Sequence, residues 1–202
     1  MANRLILASR SPRRYELLKQ MGLDFEVIPS RVEEEDFVEN ESPRDHVLRL
    51  SEAKAVDVGR RHPDTWVIGA DTIVYINGLI LGKPKTHAEA LDMLGRLSGQ
   101  EHQVLSGIAV QHVGRGKTDR EAVQTAVKMR TLSQDEMKWY IGTGEPFDKA
   151  GAYAIQGIGS FMIDSIRGSY TNVVGLPLSE LFQMLERLGA ITISECGIRI
   201  SE

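Results

Sequence analysis

The chain has 202 residues, of which 42% are hydrophobic and 26% charged, and its formal net charge at pH 7 is -4. This length and composition suit one globular domain, and the acidic balance argues against bulk attraction to nucleic acid or to an anionic membrane surface. A single cysteine, Cys196, excludes an intrachain disulfide framework, and no apolar run reaches the ~18 residues of a membrane span, so we expect a cytoplasmic protein without a membrane partner.

The first predicted elements are a short buried strand over residues 5–8 and a helix over residues 12–21. Arg13 and Arg14 occupy the first turn of this helix, where the helix dipole and the backbone N–H groups already present positive charge. A bound phosphate would explain two cations at this end. The alternative is that both side chains are solvated or paired with the acidic run at residues 33–36.

A second helix is predicted over residues 43–58, ending at Gly59, after a weak strand signal at residues 25–28. Lys54 lies on the apolar face of this helix. Either its stem covers apolar surface while the ammonium group reaches water, or the ammonium group points into a binding site. The pattern leaves both possibilities open.

A buried strand over residues 66–68 is predicted to end in a turn at residues 69–72. Asp71 in this turn is interpreted either as a turn-forming aspartate or as a general base or metal ligand at a strand end. If this strand runs parallel to the strand at residues 5–8, the segments that follow both strands lie at the same edge of the sheet and should meet.

The rest of the sequence predicts a hairpin, three more helices and three more strands. The hairpin lies within residues 73–81 and turns at Asn77-Gly78. The helices are expected at residues 86–97, 133–141 and 177–188, and the strands at residues 104–113, 122–130 and 161–166. Together these elements predict an α/β fold, with a mixed, partly parallel sheet covered by helices in a single domain over residues 1–202.

Short motifs spread over nearly the whole chain resemble those of the Maf family of nucleotide pyrophosphatases. They are residues 9–14 followed by Leu17-Leu18, then residues 69–72, 82–84, 97–99 with His102 and Val104, 148–153 and 168–177. The resemblance implies two lobes around a deep cleft, similar to the inosine triphosphate pyrophosphatases. It also implies hydrolysis of a nucleoside triphosphate to the monophosphate and pyrophosphate with a divalent cation, Mg²⁺ or Mn²⁺.

The same resemblance implies roles for individual residues. Asp71 matches the proton acceptor of the family. The phosphate-facing positions correspond to Ser9, Arg14, Lys54, Lys83 and Lys149, together with Arg13. The positions tied to substrate choice correspond to Arg13, Thr72 and Gln156, and Thr72 and Gln156 resemble the branch that prefers dTTP and UTP. The metal ligands would be Asp71 with Glu34, or with Glu33 as the alternative. A homodimer is the family expectation.

Two other functions remain open on the sequence. The protein could be a nucleotide-binding regulator of cell division without relevant turnover, or a purine triphosphate pyrophosphatase of the inosine type. All three hypotheses share a nucleoside triphosphate as the ligand, so measuring hydrolysis of a panel of triphosphates distinguishes them.

Overall fold

The computed structural model describes residues 4–33 and 41–192. Within these residues the chain forms seven strands and six α-helices. The strands are β1 (Leu5–Leu7), β2 (Phe25–Val27), β3 (Trp66–Ile76), β4 (Leu79–Leu81), β5 (Glu101–His112), β6 (Lys117–Met129) and β7 (Ile163–Arg167). The helices are α1 (Pro12–Gln20), α2 (Pro43–Arg61), α3 (His87–Leu97), α4 (Gln134–Gly142), α5 (Tyr170–Val174) and α6 (Leu178–Leu188). None of the helices in these ranges is long and apolar enough to cross a membrane.

The strands form one mixed sheet in the order β2-β1-β3-β5-β6-β7, with β4 paired to β3. β1 runs parallel to both β2 and β3, and Leu7 is paired with Val27 on one side and Ile68 on the other. The pairs β3–β4 and β6–β7 are antiparallel. The predicted mixed, partly parallel sheet and the hairpin at Asn77-Gly78 are therefore confirmed.

The chain divides into two compact units. The first unit consists of Met1–Asp71, Ser106–Val123 and Gly175–Glu202, and the second of Thr72–Leu105 and Gln124–Val174. The single two-lobed domain expected over residues 1–202 stays a prediction.

In the first unit, α2 packs against the sheet. The shared apolar cluster consists of Ile6, Ala8, Ala55, Val58, Val67 and Ala109. The helix approaches β3 closely at Gly69, where a Cβ atom would overlap the backbone carbonyl oxygen of Ser51. A glycine within a strand often marks such a close approach of two backbones.

In the second unit, α3 and α4 contribute to a larger core. Leu94 and Leu97 of α3 and Tyr140 of α4 are fully buried together with Val127 and Met129 of β6. The start of α4 lies where the sequence predicts it. Ser133 caps this helix through a reciprocal pair of hydrogen bonds with Glu136.

Several predicted element boundaries are wrong: β5 begins at Glu101, β6 at Lys117 and β7 at Ile163, and two further errors involve glycines. β3 continues through residues 69–72 without a turn, so Asp71 lies within a strand rather than after one. Likewise α2 continues past Gly59 to Arg61. Both glycines serve close packing rather than chain reversal: a Cβ atom at Gly59 would lie 3.2 Å from a methyl group of Val113.

Candidate active site

The segment between β1 and α1 is folded around the hydroxyl group of Ser9. Ser9 is buried, and its Oγ accepts hydrogen bonds from the backbone N–H of Ser11 at 3.2 Å and from Arg14 Nη1 at 3.4 Å. Ser11 is the N-cap of α1, and its Oγ accepts a hydrogen bond from the backbone N–H of Arg14. The predicted phosphate-binding segment therefore has a defined local structure.

Arg14 links this segment to two parts of the first unit that are distant in the sequence. Its Nε donates to the carbonyl oxygen of Gly175 at 2.8 Å, and its Nη1 donates to the carbonyl oxygen of Ala70 at 2.9 Å. The expectation that the segment after β1 meets the region of Asp71 is confirmed by the second bond. Arg13 is half-buried in the same helical turn. Contacts of Arg13 and Arg14 with phosphate stay predictions.

Lys54 and Asp71 form a buried ion pair in the first unit. Lys54 Nζ of α2 lies 2.7 Å from Asp71 Oδ1 of β3, and the side chains are 8% and 7% exposed. Of the two interpretations of Lys54, the structure favours an ammonium group directed inward, because it ends on a buried carboxylate. Burial removes hydration free energy from both charges, and such a pair is a candidate for a functional site.

The second unit carries the other two predicted phosphate-binding lysines on neighbouring loops. The backbone N–H of Gly151 donates to the carbonyl oxygen of Gly82 at 3.0 Å, which brings the loops of Lys83 and Lys149 together. Lys83 is exposed. Lys149 Nζ donates to the backbone carbonyl oxygen of Glu145 and to Asp148 Oδ1, both at 2.6 Å.

The remaining residues assigned to substrate choice also belong to the second unit. Thr72 is half-buried and directly follows Asp71 in β3. Gln156 is exposed and directly precedes a short 3₁₀ helix, Gly157–Met162. The side chain of Gln156 is therefore displayed to solvent at the start of an ordered turn.

The carboxylate oxygens of Asp71 are suitable ligands for Mg²⁺ or a similar divalent cation. Mg²⁺ commonly takes one or two carboxylates together with substrate phosphates rather than a complete protein cage. Among the described residues there is no group of three or more His, Cys, Asp or Glu side chains that could hold a metal ion. Glu34 lies outside the described residues, and Glu33 is exposed. Metal binding by Asp71 therefore stays a proposal.

Two polar clusters of the second unit, one of them buried, were not assigned a role from the sequence. The His102 ring, which is 2% exposed, lies with Nε2 2.7 Å from the Tyr153 hydroxyl oxygen. Burial lowers the pKa of His102 to about 4. The second cluster surrounds the carboxylate of Glu145. His102 belongs to one of the motifs quoted above, which gives it no role, and Glu145 has no periodic signal because its partners lie in separate segments.

Comparisons with known proteins place the chain among Maf-like proteins. A family model with that description matches residues 4–188. A relative from Syntrophus aciditrophicus (strain SB), named dTTP/UTP pyrophosphatase, is 50% identical over 194 residues, which cover 96% of this chain and 94% of the relative. A relative with the same name from Syntrophotalea carbinolica is 53% identical over 192 residues, covering 94% of this chain and 86% of the relative.

Among solved structures, the fold is similar to that of the Staphylococcus aureus Ham1 protein. The TM-score is 0.50 at 16% sequence identity, over 92% of this chain and 99% of that one. This likeness concerns the fold alone and agrees with the expected architecture. The family model extends over nearly all of the described residues and includes every motif from Ser9 to Pro177, and so the chain belongs to the Maf family.

Proposed function

We propose that this protein hydrolyses dTTP and UTP to the nucleoside monophosphate and pyrophosphate. The observation that carries the chemistry is the buried carboxylate of Asp71, paired with Lys54 next to the carbonyl group that Arg14 holds. The choice of nucleotide is supported by the relatives named dTTP/UTP pyrophosphatase, one of which is 50% identical over nearly the whole chain.

In this proposal the triphosphate is held by hydroxyl, guanidinium and ammonium groups. Phosphate oxygens favour such donors because charge-assisted hydrogen bonds are short and strong. Ser9, Arg13, Arg14, Lys83 and Lys149 would supply such donors. The positive charge of the four basic residues would also stabilise the negative charge that develops on the phosphates as the bond breaks.

Asp71 would orient and deprotonate the attacking water. The water oxygen forms a bond to phosphorus, the α–β phosphoanhydride bond breaks, pyrophosphate leaves, and the proton passes to the carboxylate. An ammonium group has three N–H donors, so Lys54 can hold Asp71 in place and bind a phosphate oxygen in the same complex.

Gln156 would recognise the base through hydrogen bonds. Its amide offers both a donor and an acceptor, which pair with the O4 and N3–H edge of uracil or thymine. Arg13 and Thr72 would contribute to the same choice. The exposed position of Gln156 at the start of the 3₁₀ helix supports this role, because the amide is accessible to a ligand.

We also propose a divalent cation, Mg²⁺ or Mn²⁺, held by Asp71 and the substrate phosphates, with Glu34 as a second ligand. When bound, such a cation neutralises phosphate charge and polarises the phosphoryl oxygens. The cytoplasm is the proposed location, supported by the single cysteine of the sequence. We also propose a homodimer, which light scattering can check.

The test is a panel of nucleoside triphosphates, with and without Mg²⁺, in which monophosphate and pyrophosphate are both measured. We expect dTTP and UTP to be the best substrates and Asp71→Asn to abolish hydrolysis while nucleotide binding survives. Purine preference would contradict the pyrimidine assignment and support the inosine-type alternative. Binding without product from any triphosphate would support the regulator instead.

A further inference from the structure

The carboxylate of Glu145 accepts three hydrogen bonds from two other segments of the second unit. The hydroxyl group of Tyr140, a fully buried residue of α4, donates to Oε1 at 2.9 Å. The backbone N–H of Gly159 donates to the same oxygen at 2.9 Å, and that of Ile158 donates to Oε2 at 3.0 Å. Both oxygens of the carboxylate are therefore used.

These two N–H groups lie in the first turn of the 3₁₀ helix Gly157–Met162. N–H groups at a helix start have no partner within the helix, and Gln156 gives no capping hydrogen bond from its side chain. Glu145 supplies the cap from another loop. Gly157 has a φ of 71° and a Cβ atom there would lie 2.8 Å from Glu145 Oε2, so glycine is required for this close approach.

The same residue holds the loop of Lys149. The backbone carbonyl oxygen of Glu145 accepts from Lys149 Nζ at 2.6 Å. Glu145 thus makes two kinds of contact. Its main chain binds Lys149, which is assigned to phosphate binding, and its side chain binds the turn that follows Gln156. The carboxylate is ionised in this position: although burial raises the pKa of Glu145, the hydrogen bonds from Gly159 and Ile158 hold it below its ordinary value.

We propose that Glu145 is a positioning residue for base selection, which holds the turn after Gln156 so that the amide of Gln156 meets the pyrimidine edge. The inference rests on the proposed function, because it assigns base reading to Gln156. Glu145 does not touch the substrate in this scheme. It acts through the turn whose backbone it binds.

A carboxylate is needed at this position because every group that faces it is a donor. An amide has one acceptor oxygen, and its NH₂ group would face either the Ile158 N–H or the Gly159 N–H and Tyr140 hydroxyl. Glu145→Gln therefore breaks at least one bond to the turn while it preserves side-chain size. The main-chain carbonyl group that binds Lys149 is unchanged in this variant.

The experiment compares kcat/KM for UTP with kcat/KM for CTP, which presents the opposite donor and acceptor pattern on the edge of its base. We expect Glu145→Gln to lower the UTP/CTP ratio about tenfold, the effect typical of one lost hydrogen bond. Gln156→Ala should lower the ratio as well. The double variant should show no further fall beyond Gln156→Ala alone, because both substitutions act on the same contact.

The matched control is Glu89→Gln. Glu89 also accepts a backbone N–H, that of Lys85 at 2.7 Å, at the start of α3 in the second unit. The UTP/CTP ratio of kcat/KM for this control variant should equal that of the unmodified protein. If Glu145→Gln does not fold, Tyr140→Phe removes one of the three bonds to the carboxylate and should lower the ratio in the same direction.

The outcomes separate the inference from the proposed function. If the unmodified protein hydrolyses UTP and Glu145→Gln lowers turnover of both nucleotides equally, Glu145 is merely structural and the inference is overturned. If the unmodified protein hydrolyses no triphosphate, the proposed function fails, and the same ratio is measured from dissociation constants of UTP and CTP. Equal affinities of the unmodified protein for both nucleotides would then overturn the inference too.

Discussion

Lys54 Nζ lies 2.7 Å from Asp71 Oδ1, and both residues are almost completely buried. Removing one member of such a pair leaves an uncompensated charge, whereas replacing both by apolar residues is often neutral. We expect Lys54→Met to reduce the free energy of unfolding by about 3 kcal/mol and to abolish hydrolysis. Thermal unfolding and product release measure the two effects.

The double variant Lys54→Met with Asp71→Leu is the control for this prediction. It should regain most of the lost stability and remain inactive, because the ion pair is needed for chemistry rather than for folding. Activity in the double variant would remove both residues from the proposed mechanism.

Arg14 and Arg13 should differ in their effects although they are neighbours in α1. Arg14→Lys keeps the charge but lacks the planar fork that reaches the carbonyl oxygens of Ala70 and Gly175. We expect Arg14→Lys to lower kcat/KM for all triphosphates, about as strongly as Arg14→Ala. Steady-state kinetics on a series of nucleotides measures this.

Arg13→Ala is expected to change the ratios between nucleotides, since Arg13 is assigned to substrate choice. Equal losses on every nucleotide would contradict that assignment. Full activity of Arg14→Lys would show that charge alone suffices at position 14 and that the two carbonyl contacts have no catalytic consequence.

Gly69→Ala should damage the first unit, because the new methyl group would overlap the carbonyl oxygen of Ser51 where α2 meets β3. We expect a loss of about 3 kcal/mol, at the upper end for overpacking, and a lower midpoint of thermal unfolding. Gly95→Ala is the control. It is exposed on α3 with no atom within 4 Å of the added Cβ, and should raise stability by about 0.5–1 kcal/mol. A Gly69→Ala protein as stable as the parent would contradict the close contact.

The buried His102 predicts a dependence of stability on pH. Its folded-state pKa of about 4 lies below the 6.5 of an unperturbed histidine, so the unfolded chain binds more protons between these values. Stability should therefore be fully present above about pH 6.5 and decline as the pH falls toward 4. His112, whose pKa is also lowered by burial and by Arg115, acts in the same direction.

The measurement is the unfolding midpoint of the parent and of His102→Gln between pH 7 and pH 4. The variant should show a shallower decline. His87→Gln, at an exposed position of α3, serves as the control and should follow the parent. An identical slope in parent and His102→Gln would mean that His102 is not responsible.

The sequence predicts the elements of this fold well where a local signal is sufficient. The helix starts near residues 12 and 133, the Asn77-Gly78 hairpin and the partly parallel sheet are all confirmed. These features depend on residues within a few positions of one another, or on the topology that follows from a strand, helix and strand in series.

Signals that depend on distant residues were misread or missed. Gly69 and Gly59 looked like chain breaks, but each makes room for a neighbour that is remote in sequence. The carboxylate of Glu145 binds backbone N–H groups 13 and 14 residues further along the chain. No periodic pattern marks such a contact, because it depends on the path of two loops.

The guanidinium group of Arg14 binds carbonyl groups 56 and 161 residues away in the sequence. Contacts with such large sequence separations form late in folding, since the long loops between them must first be closed. On the ribosome, where the N-terminal part emerges first, the segment after β1 cannot take its final arrangement until Gly175 has been synthesised. Until then the guanidinium group of Arg14 lacks one of its two carbonyl partners, so a chain that stops before residue 175 should not hold Arg14 in its final position.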